Sequence, residues 1–357
     1  MRVHKSRNLS RSRYFGARFH LASLAISLLI ASSAFALAES CTTQSALAPA
    51  ERTALADVAR NLATKVQAND AASLKTVAVA ELAKDFGALQ YLVAVTAPKL
   101  AGGVATVEQV YILDATNLKS ATDADFFCSL NKTTMETQFV IPALPPGRYA
   151  FAMVSIANVP GSAKTAPWRL SFLLRQEPPN QGNWMLAGLY PKALTAAGHD
   201  GLWYWTQARQ MAKDKQAWNA WLYYQSAQTL LQPADFVMST HLDKLRTEAA
   251  AAAPPALSEG ISADAPLVVK GAAGAEYRFT GLALEESQAE SSPDIAVHLR
   301  VEPSADPAAA RTRNADAASA LLAAYPELRK PFHGVRVYAE APGQNPFTTE
   351  QPISEIK

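Results

Sequence analysis

Cysteine, charge and long apolar runs are all scarce in this chain of 357 residues. Cys41 and Cys128 are the only cysteines, which excludes a disulfide-dense scaffold and zinc sites built from cysteine thiolates. Charged residues make up 18% of the chain and apolar residues 49%, a balance that excludes wholesale disorder. After residue 38 no stretch approaches the roughly 18 uninterrupted apolar residues that a membrane-spanning helix needs.

The longest apolar run lies at the amino terminus and follows a basic segment. Residues 1–20 contain six Lys/Arg and no Asp/Glu, residues 21–38 are mostly apolar, and Ala36-Leu37-Ala38 forms a small-x-small cleavage motif. This order is typical of a secretory signal peptide. The run is also borderline for a membrane anchor, but four serines interrupt it. We predict a signal peptide over residues 1–38 and a periplasmic or extracellular protein without stable membrane insertion after cleavage.

Removal of residues 1–38 changes the sign of the formal charge. The whole chain carries +2 at neutral pH, whereas the remainder has 27 Lys/Arg against 31 Asp/Glu, or −4. A nucleic-acid-binding protein needs a basic face that neutralises phosphates. The predicted partner is therefore a small molecule or another protein of unknown identity, and not a nucleic acid.

Export would place both cysteines in an oxidising compartment, where they could pair. A Cys41–Cys128 bridge would join residues 87 positions apart. In the loop-entropy model such a bridge stabilises the fold by roughly 4 kcal/mol or more. The alternative is two free thiols, with Cys41 in a loose new amino terminus.

The first block of the remaining chain, residues 47–195, begins with helices and ends with strands. Apolar residues recur at three- and four-residue steps from Leu55 to Val66, and Asp70 is placed to cap a second helix. Runs rich in β-branched and aromatic residues predict strands at residues 107–113, 138–141, 148–156, 168–175 and 184–190. Turn residues between the last two predict a hairpin. Helices followed by antiparallel strands predict an α+β fold with helices packed on a curved antiparallel sheet.

This block resembles the nuclear-transport-factor-like (cystatin-like) α+β cone. The resemblance rests on Gln67-Ala68-Asn69-Asp70 between the opening helices and on the strand G-N-W-M-L-A-G-L-Y at residues 182–190. It implies a cone that encloses a pocket, which some members of the family use for catalysis and many use for binding. No clear inward Asp/His pair of the kind used by the family's enzymes is visible in the sequence, which puts catalysis in doubt.

The second block, residues 196–253, is helical and rich in aromatic residues. Counted from Gly201, Ala208, Ala220, Tyr224 and Ala227 match the small, small, aromatic and small positions of a tetratricopeptide unit. The block therefore resembles a single tetratricopeptide-type helical hairpin. We find no second repeat, so the hairpin is expected to pack on neighbouring parts of the chain.

An alanine run followed by Pro254-Pro255 predicts a linker before the third block, residues 256–357. Strands are expected at residues 267–269, 277–284, 295–301 and 335–339, and a helix capped by Asn314 at residues 314–328. This order predicts a smaller carboxyl-terminal α+β domain. Residues 341–347 are expected to form a turn-rich tail.

Candidate catalytic residues are few, and each has a structural alternative. His199 beside Asp200 could act as a general base, or Asp200 could cap the following helix. Trp203 and Trp205 could belong to a binding surface, or they could be ordinary core residues. The paired carboxylates Asp123 and Asp125 could act as acid and base, or could lie in a solvated loop.

The other histidines and the known motifs give no further site. His241 and Asp243 do not share a helical face, His298 lies at a polar strand position, and His333 lies in a turn. His-x-x-x-His, Cys-x-x-Cys, G-x-S-x-G and Walker motifs are absent, so no metal, cofactor or nucleotide site is predicted. Asn131-Lys132-Thr133 is a formal glycosylation sequon.

These observations predict a secreted or periplasmic, non-catalytic protein that binds or scaffolds an unknown ligand. No catalytic, cofactor-binding or metal-binding residue is assigned. The alternative is a hydrolase or isomerase that uses a pocket in the amino-terminal α+β domain. A converging acid–base pair inside a concave pocket would distinguish the two. The chain as a whole resembles exported bacterial proteins without an assigned activity, and that resemblance implies no chemistry.

Overall fold

The computed structural model describes residues 39–129, 136–157, 166–178, 182–287 and 292–357. The predicted signal peptide and the Asn131-Lys132-Thr133 sequon lie outside the described residues. The helices in chain order are α1 (Pro49–Gln67), α2 (Ala71–Thr76), α3 (Ala80–Lys84), α4 (Gly87–Thr96), α5 (Gly201–Lys213), α6 (Ala217–Leu231), α7 (Thr240–Ala252) and α8 (Pro307–Ala324).

The strands fall before, between and after these helices. Their bounds in chain order are β1 (Ser40–Thr43), β2 (Val104–Asp114), β3 (Thr122–Ser129), β4 (Glu136–Leu144), β5 (Arg148–Ala157), β6 (Trp168–Glu177), β7 (Asn183–Ala193), β8 (Thr195–Ala196), β9 (His199–Asp200), β10 (Val237–Ser239), β11 (Leu267–Lys270), β12 (Glu276–Glu285), β13 (Asp294–Arg300), β14 (Gly334–Glu340) and β15 (Phe347–Pro352). Helices and strands together confirm the predicted α+β class.

The amino-terminal helices form where apolar periodicity predicts them. Leu55, Leu62 and Val66 of α1 are buried on one face. Asp70 caps α2, because its side chain accepts a hydrogen bond from the backbone N–H of Ser73 at 3.0 Å. That hydrogen bond also lowers the pKa of the Asp70 carboxyl.

The largest sheet has the order β1-β2-β5-β6-β7, and every neighbouring pair in it is antiparallel. The predicted hairpin is confirmed as β6 and β7. Alternation along the strands gives the sheet two apolar faces. Val110 and Ala152 belong to a cluster with the buried residues of α1, α2 and α4, whereas Tyr111 and Phe151 belong to a second cluster on the opposite face.

A smaller sheet of order β10-β4-β3 covers that opposite face. Its strand β3 corrects one expectation: Asp123 and Asp125 lie on a strand and not in a solvated loop. Both aspartates lie on the exposed side of β3, and Ala124, Phe126 and Cys128 alternate with them on the buried side.

Cys41 and Cys128 form a disulfide, with their Cα atoms 5.2 Å apart. Cys41 lies on β1 of the large sheet and Cys128 on β3 of the small sheet. The bond therefore joins the two sheets covalently. Of the two alternatives left by the sequence, pairing is the one found.

Helices α5 and α6 form the predicted aromatic hairpin. Asp200 caps α5, since its side chain accepts a hydrogen bond from the backbone N–H of Trp203 at 2.8 Å. Ala208 and Ala220 are fully buried, and Tyr224 is 3% exposed. Small residues at these positions allow the two helices to approach closely.

The carboxyl-terminal sheet has the order β11-β12-β13-β14-β15. Helix α8 connects β13 to β14, and these two strands are parallel, as a crossover connection requires. The predicted cap was wrong here, because Asp306 caps α8 and Asn314 is buried inside it. The turn-rich segment lies where it was predicted, and β15 follows it. Asn314 donates to the carbonyl oxygen of Phe347 at 3.3 Å, so it fastens β15 to the helix.

Buried residues on both sides of Pro254-Pro255 contribute to one hydrophobic cluster. Tyr224 and Leu245 precede this segment, and Leu257 and Phe279 follow it. The helical hairpin and the carboxyl-terminal sheet therefore share a core. The division of the chain into domains at residues 47–195, 196–253 and 256–357 stays a prediction. Among the helices of the described residues, none is both long and apolar enough to span a membrane.

Candidate functional site

A cavity of about 220 Å³ lies where the large and small sheets meet the helical hairpin. Its sheet wall is formed by Tyr111 of β2, Phe151 and Met153 of β5, and Thr137 and Phe139 of β4. We call this space the aromatic cavity.

Strand alternation places these side chains together. Tyr111 pairs with Phe151 across β2 and β5, and both lie on the face of the large sheet opposite α1 and α4. Thr137 and Phe139 are two residues apart on β4, so they share the face of the small sheet that looks toward the large one. The cavity therefore sits at one end of the space between the two sheets.

The aromatic rings of this wall form a chain of edge-to-face contacts. Ring centroids are 5.2 Å apart for Tyr111 and Phe139, 5.2 Å for Phe139 and Phe151, and 5.6 Å for Phe151 and Phe236. The last contact continues to Tyr190 at 5.0 Å. Such pairs are favoured by the ring quadrupoles in addition to the area they bury. Phe139 and Phe151 are fully buried, so the wall is rigidly packed.

The helical wall is formed by Leu202 and Trp205 of α5, Leu231 of α6 and Leu242 of α7. Leu202 is 60% exposed, which places it at the mouth of the cavity. Pro233 and the β10 residues connect this wall to the small sheet.

Trp205 is held in place by two neighbouring charged residues. Its indole N–H donates to Glu248 Oε2 at 2.7 Å, and the guanidinium of Arg209 lies over its ring at 4.4 Å from the centroid. Arg209 also donates to both carboxylate oxygens of Glu248, at 2.7 and 2.9 Å. The hydrogen bonds from Arg209 lower the pKa of Glu248 and raise that of Arg209. The orientation of one cavity wall thus depends on an ion pair at the surface.

The lining of the aromatic cavity is mainly apolar and aromatic. Among its lining residues there is no Asp, Glu, Lys or Arg, and the one histidine, His241, is exposed at the start of α7. The lining therefore offers no carboxylate–histidine pair for acid–base work. It offers aromatic rings, two thioethers from Met153 and Met238, and the hydroxyls of Thr137 and Tyr111, which lie 3.5 Å apart.

Of the four candidate residues from the sequence, the structure places one in the lining of the aromatic cavity and three outside it. Trp205 lines the aromatic cavity, whereas His199, Asp200 and Trp203 are not among its lining residues. The His199 ring stacks on Trp203 with centroids 3.7 Å apart and planes 7° apart. Asp200 is engaged as the cap of α5. His199 and Asp200 therefore hold the start of the hairpin.

Two histidines of the carboxyl-terminal region, His298 and His333, each lie within hydrogen-bond distance of a carboxylate. His298 Nδ1 lies 2.7 Å from Glu340 Oε1, and its ring stacks on Tyr338. His333 Nδ1 lies 2.9 Å from Asp294 Oδ1. Asp294 is fully buried, and this burial raises the pKa of its carboxyl.

One group of side chains has the composition of a metal site. Ligand atoms of Asp294, His333 and Glu350 lie within 4.8 Å of one another. Arg336 lies among them, 2.8 Å from Glu350 Oε2 and 3.5 Å from Asp294 Oδ2. Because a guanidinium already supplies positive charge to both acids, the group is a salt-bridge network that ties β13, β14 and β15 together.

Sequence reasoning missed most of the cavity. Tyr111, Phe139 and Phe151 fall inside predicted strands, and their alternation with residues of the other face was the available signal. Alternation describes each strand by itself. It could not show which strand faces would contact the helical hairpin.

No family model, curated protein or solved structure matches this chain. The resemblances to the nuclear-transport-factor-like cone and to a tetratricopeptide-type hairpin therefore stay predictions.

Proposed function

We propose that the protein is an exported, non-catalytic binding protein whose ligand site is the aromatic cavity. The observation that carries this proposal is a concave space lined by aromatic rings and thioethers, with no Asp, Glu, Lys or Arg among its described lining residues and one exposed histidine, His241. Ligand pockets are mainly apolar and aromatic, with a few polar groups that orient the ligand. Thr137 and Tyr111 supply such groups here.

The alternative function, a hydrolase or isomerase, would need an acid and a base that converge on one space. His241 alone among the lining residues of the cavity could take that role, and no carboxylate of the lining accompanies it. The geometry therefore favours binding over catalysis.

Two observations support export. The segment order at residues 1–38 is typical of a signal peptide. The Cys41–Cys128 disulfide suits an oxidising compartment such as the periplasm or the extracellular space. A disulfide that joins two sheets would persist in such a compartment, whereas the cytosol would reduce it.

Export predicts a specific mature chain. In the cells that naturally express the protein, mass spectrometry should find a chain that begins at Glu39, because the Ala36-Leu37-Ala38 motif ends there. Non-reducing analysis of the same sample should find no free thiol. Recovery of the full-length chain from the membrane fraction would contradict the prediction.

Binding in the cavity can be observed through methionine methyl groups. Met153 and Met238 line the aromatic cavity, whereas Met185 lines a different pocket and Met211 lies on α5 outside the cavity lining. Protein labelled with ¹³C at the methionine methyls would be titrated with benzyl alcohol, cyclohexylmethanol, benzoate, benzylammonium and 9-anthracenemethanol. We expect at least one probe to shift the Met153 and Met238 signals saturably and to leave Met185 and Met211 in place.

The assignment of each methyl signal follows from single Met→Leu variants, which conserve volume. If none of the five probes shifts Met153 or Met238, the cavity is not a binding site and the proposed function is wrong. A shift confined to the Met185 signal would show that the probe binds in the other pocket. This result would also contradict the proposal.

A further inference from the structure

We infer that the ligand of the aromatic cavity is an uncharged, planar aromatic molecule of about ten non-hydrogen atoms or fewer. This inference rests on the proposed function and narrows it to one chemical class. Three properties of the cavity carry it: its volume, the charge of its lining and the arrangement of its rings.

The volume sets the upper limit on size. The cavity measures about 220 Å³. An engineered apolar cavity of about 150 Å³ holds benzene, and sites for drug-sized ligands begin near 300 Å³. The aromatic cavity lies between these values, so it has room for one substituted ring and not for a fused system of three.

The lining sets the charge. An ion that leaves water for this space would meet no Asp, Glu, Lys or Arg side chain, and the one histidine of the lining, His241, is exposed to water. Desolvation would therefore disfavour a carboxylate and an ammonium alike. One hydroxyl on the ligand is tolerated, because the hydroxyls of Thr137 and Tyr111 lie in the same wall.

The ring arrangement favours a planar aromatic ligand over a saturated one of equal size. Tyr111, Phe139 and Phe151 present both edges and faces to their neighbours, with interplanar angles of 64° in each pair. A ring in the cavity would extend this edge-to-face chain. The thioethers of Met153 and Met238 add sulfur–aromatic contacts, which a saturated ring does not receive.

The five probes already named separate these properties. Benzyl alcohol and cyclohexylmethanol have the same number of non-hydrogen atoms and differ in planarity. Benzoate and benzylammonium keep the ring and add a charge of either sign. 9-Anthracenemethanol keeps the alcohol and adds two fused rings. Dissociation constants would be measured by isothermal titration calorimetry, and the site would be assigned by the Met153 and Met238 methyl signals.

We expect benzyl alcohol to bind at least about tenfold more tightly than either charged probe. We expect it to bind about two- to tenfold more tightly than cyclohexylmethanol, which is the range that ring–ring contacts supply. The anthracene probe should leave both methionine signals unshifted.

A matched pair of variants on β4 tests the location. Thr137 lines the cavity, and Val140 is 40% exposed and does not line it. Thr137→Trp should fill the cavity and weaken benzyl alcohol at least about tenfold, whereas Val140→Trp adds the same ring outside and should leave its affinity unchanged. Because a filled cavity could distort the fold, thermal melts of both variants accompany the titrations. If Thr137→Trp melts well below Val140→Trp, Leu202→Asp at the exposed mouth replaces it.

The outcomes distinguish the inference from the proposed function. If a charged probe, the saturated alcohol or the anthracene binds most tightly and shifts Met153 and Met238, the ligand class is wrong and the binding function stands. If benzyl alcohol binds equally well to Thr137→Trp or Leu202→Asp and to Val140→Trp, its site is not this cavity. If no probe shifts these signals, both proposals fail.

Discussion

Replacement of both Cys41 and Cys128 by alanine is expected to lower the free energy of unfolding by about 4 to 5 kcal/mol. The two residues are 87 positions apart, so the bridge closes a long loop in the unfolded chain and removes much of its entropy. A loss of this size is a large fraction of the stability of an ordinary domain.

The native structure adds a local reason for a large effect. Strand β1 has four residues and pairs only with β2 at the edge of the large sheet. Without the bond to Cys128, nothing covalent holds this strand against β3. Cys128 is fully buried, and it lies opposite Thr137 in the register of β3 and β4. Loss of the disulfide would therefore free strand β1, which lies next to one wall of the aromatic cavity.

Urea unfolding of the variant and of the parent chain, monitored by tryptophan fluorescence, measures this effect. The parent chain treated with a thiol reductant is the matched control, because it loses the bond and keeps both sulfur atoms. We expect the reduced parent and the double variant to unfold at similar urea concentrations. A difference from the oxidised parent below about 1 kcal/mol would show that the unfolded chain gains little freedom when the bond is absent.

Local features of the fold were predictable from the sequence because they depend on short-range physics. Asp70 and Asp200 cap helices, since a carboxylate before an amphipathic segment accepts from the exposed backbone N–H groups. The hairpin of β6 and β7 follows from two apolar runs separated by turn residues. In each of these cases a few neighbouring residues determine the local structure.

Elements that face solvent on one side were harder to predict. Strand β3 contains Asp123 and Asp125, and charges on an edge strand obscure an alternation that its buried side chains follow correctly. Asn314 has the side chain of a helix cap but lies inside α8, where it bonds to β15. Its partner is 33 residues away, so tertiary contact overrides its local preference.

The aromatic cavity could not have been predicted for a related reason. Its walls come from β2, β4, β5, β10 and three helices, which are far apart in the sequence. Periodicity shows which side of each element is apolar, but not which apolar sides leave a gap between them. A gap of this kind is set by the crossing of the sheets and the hairpin, and that crossing is a property of the whole fold.

The second large effect is expected at Tyr224, where replacement by alanine should cost about 3 to 4 kcal/mol of unfolding free energy. The side chain is 3% exposed, and burial, followed by the charge of Glu248, raises the pKa of its hydroxyl. Tyr224 of α6 belongs to the same buried cluster as Ala208 of α5 and Leu245 of α7. Neighbours as small as alanine cannot fill the space that a lost ring would leave, so the cavity term adds to the transfer term.

The matched controls for Tyr224 separate packing of the hairpin from an exposed interaction surface. Tyr224→Phe keeps the ring and should lose less than about 1.5 kcal/mol. Trp203 is half-buried and stacks on His199, so Trp203→Ala should cost less than Tyr224→Ala even though it removes a larger ring. Thermal and urea unfolding of the three variants would rank them.

If Tyr224→Ala unfolds like the parent, the ring does not hold α6 between its neighbours. A binding surface made of exposed rings would then explain the aromatic hairpin better than a packed core does, because truncation of surface rings leaves stability nearly unchanged.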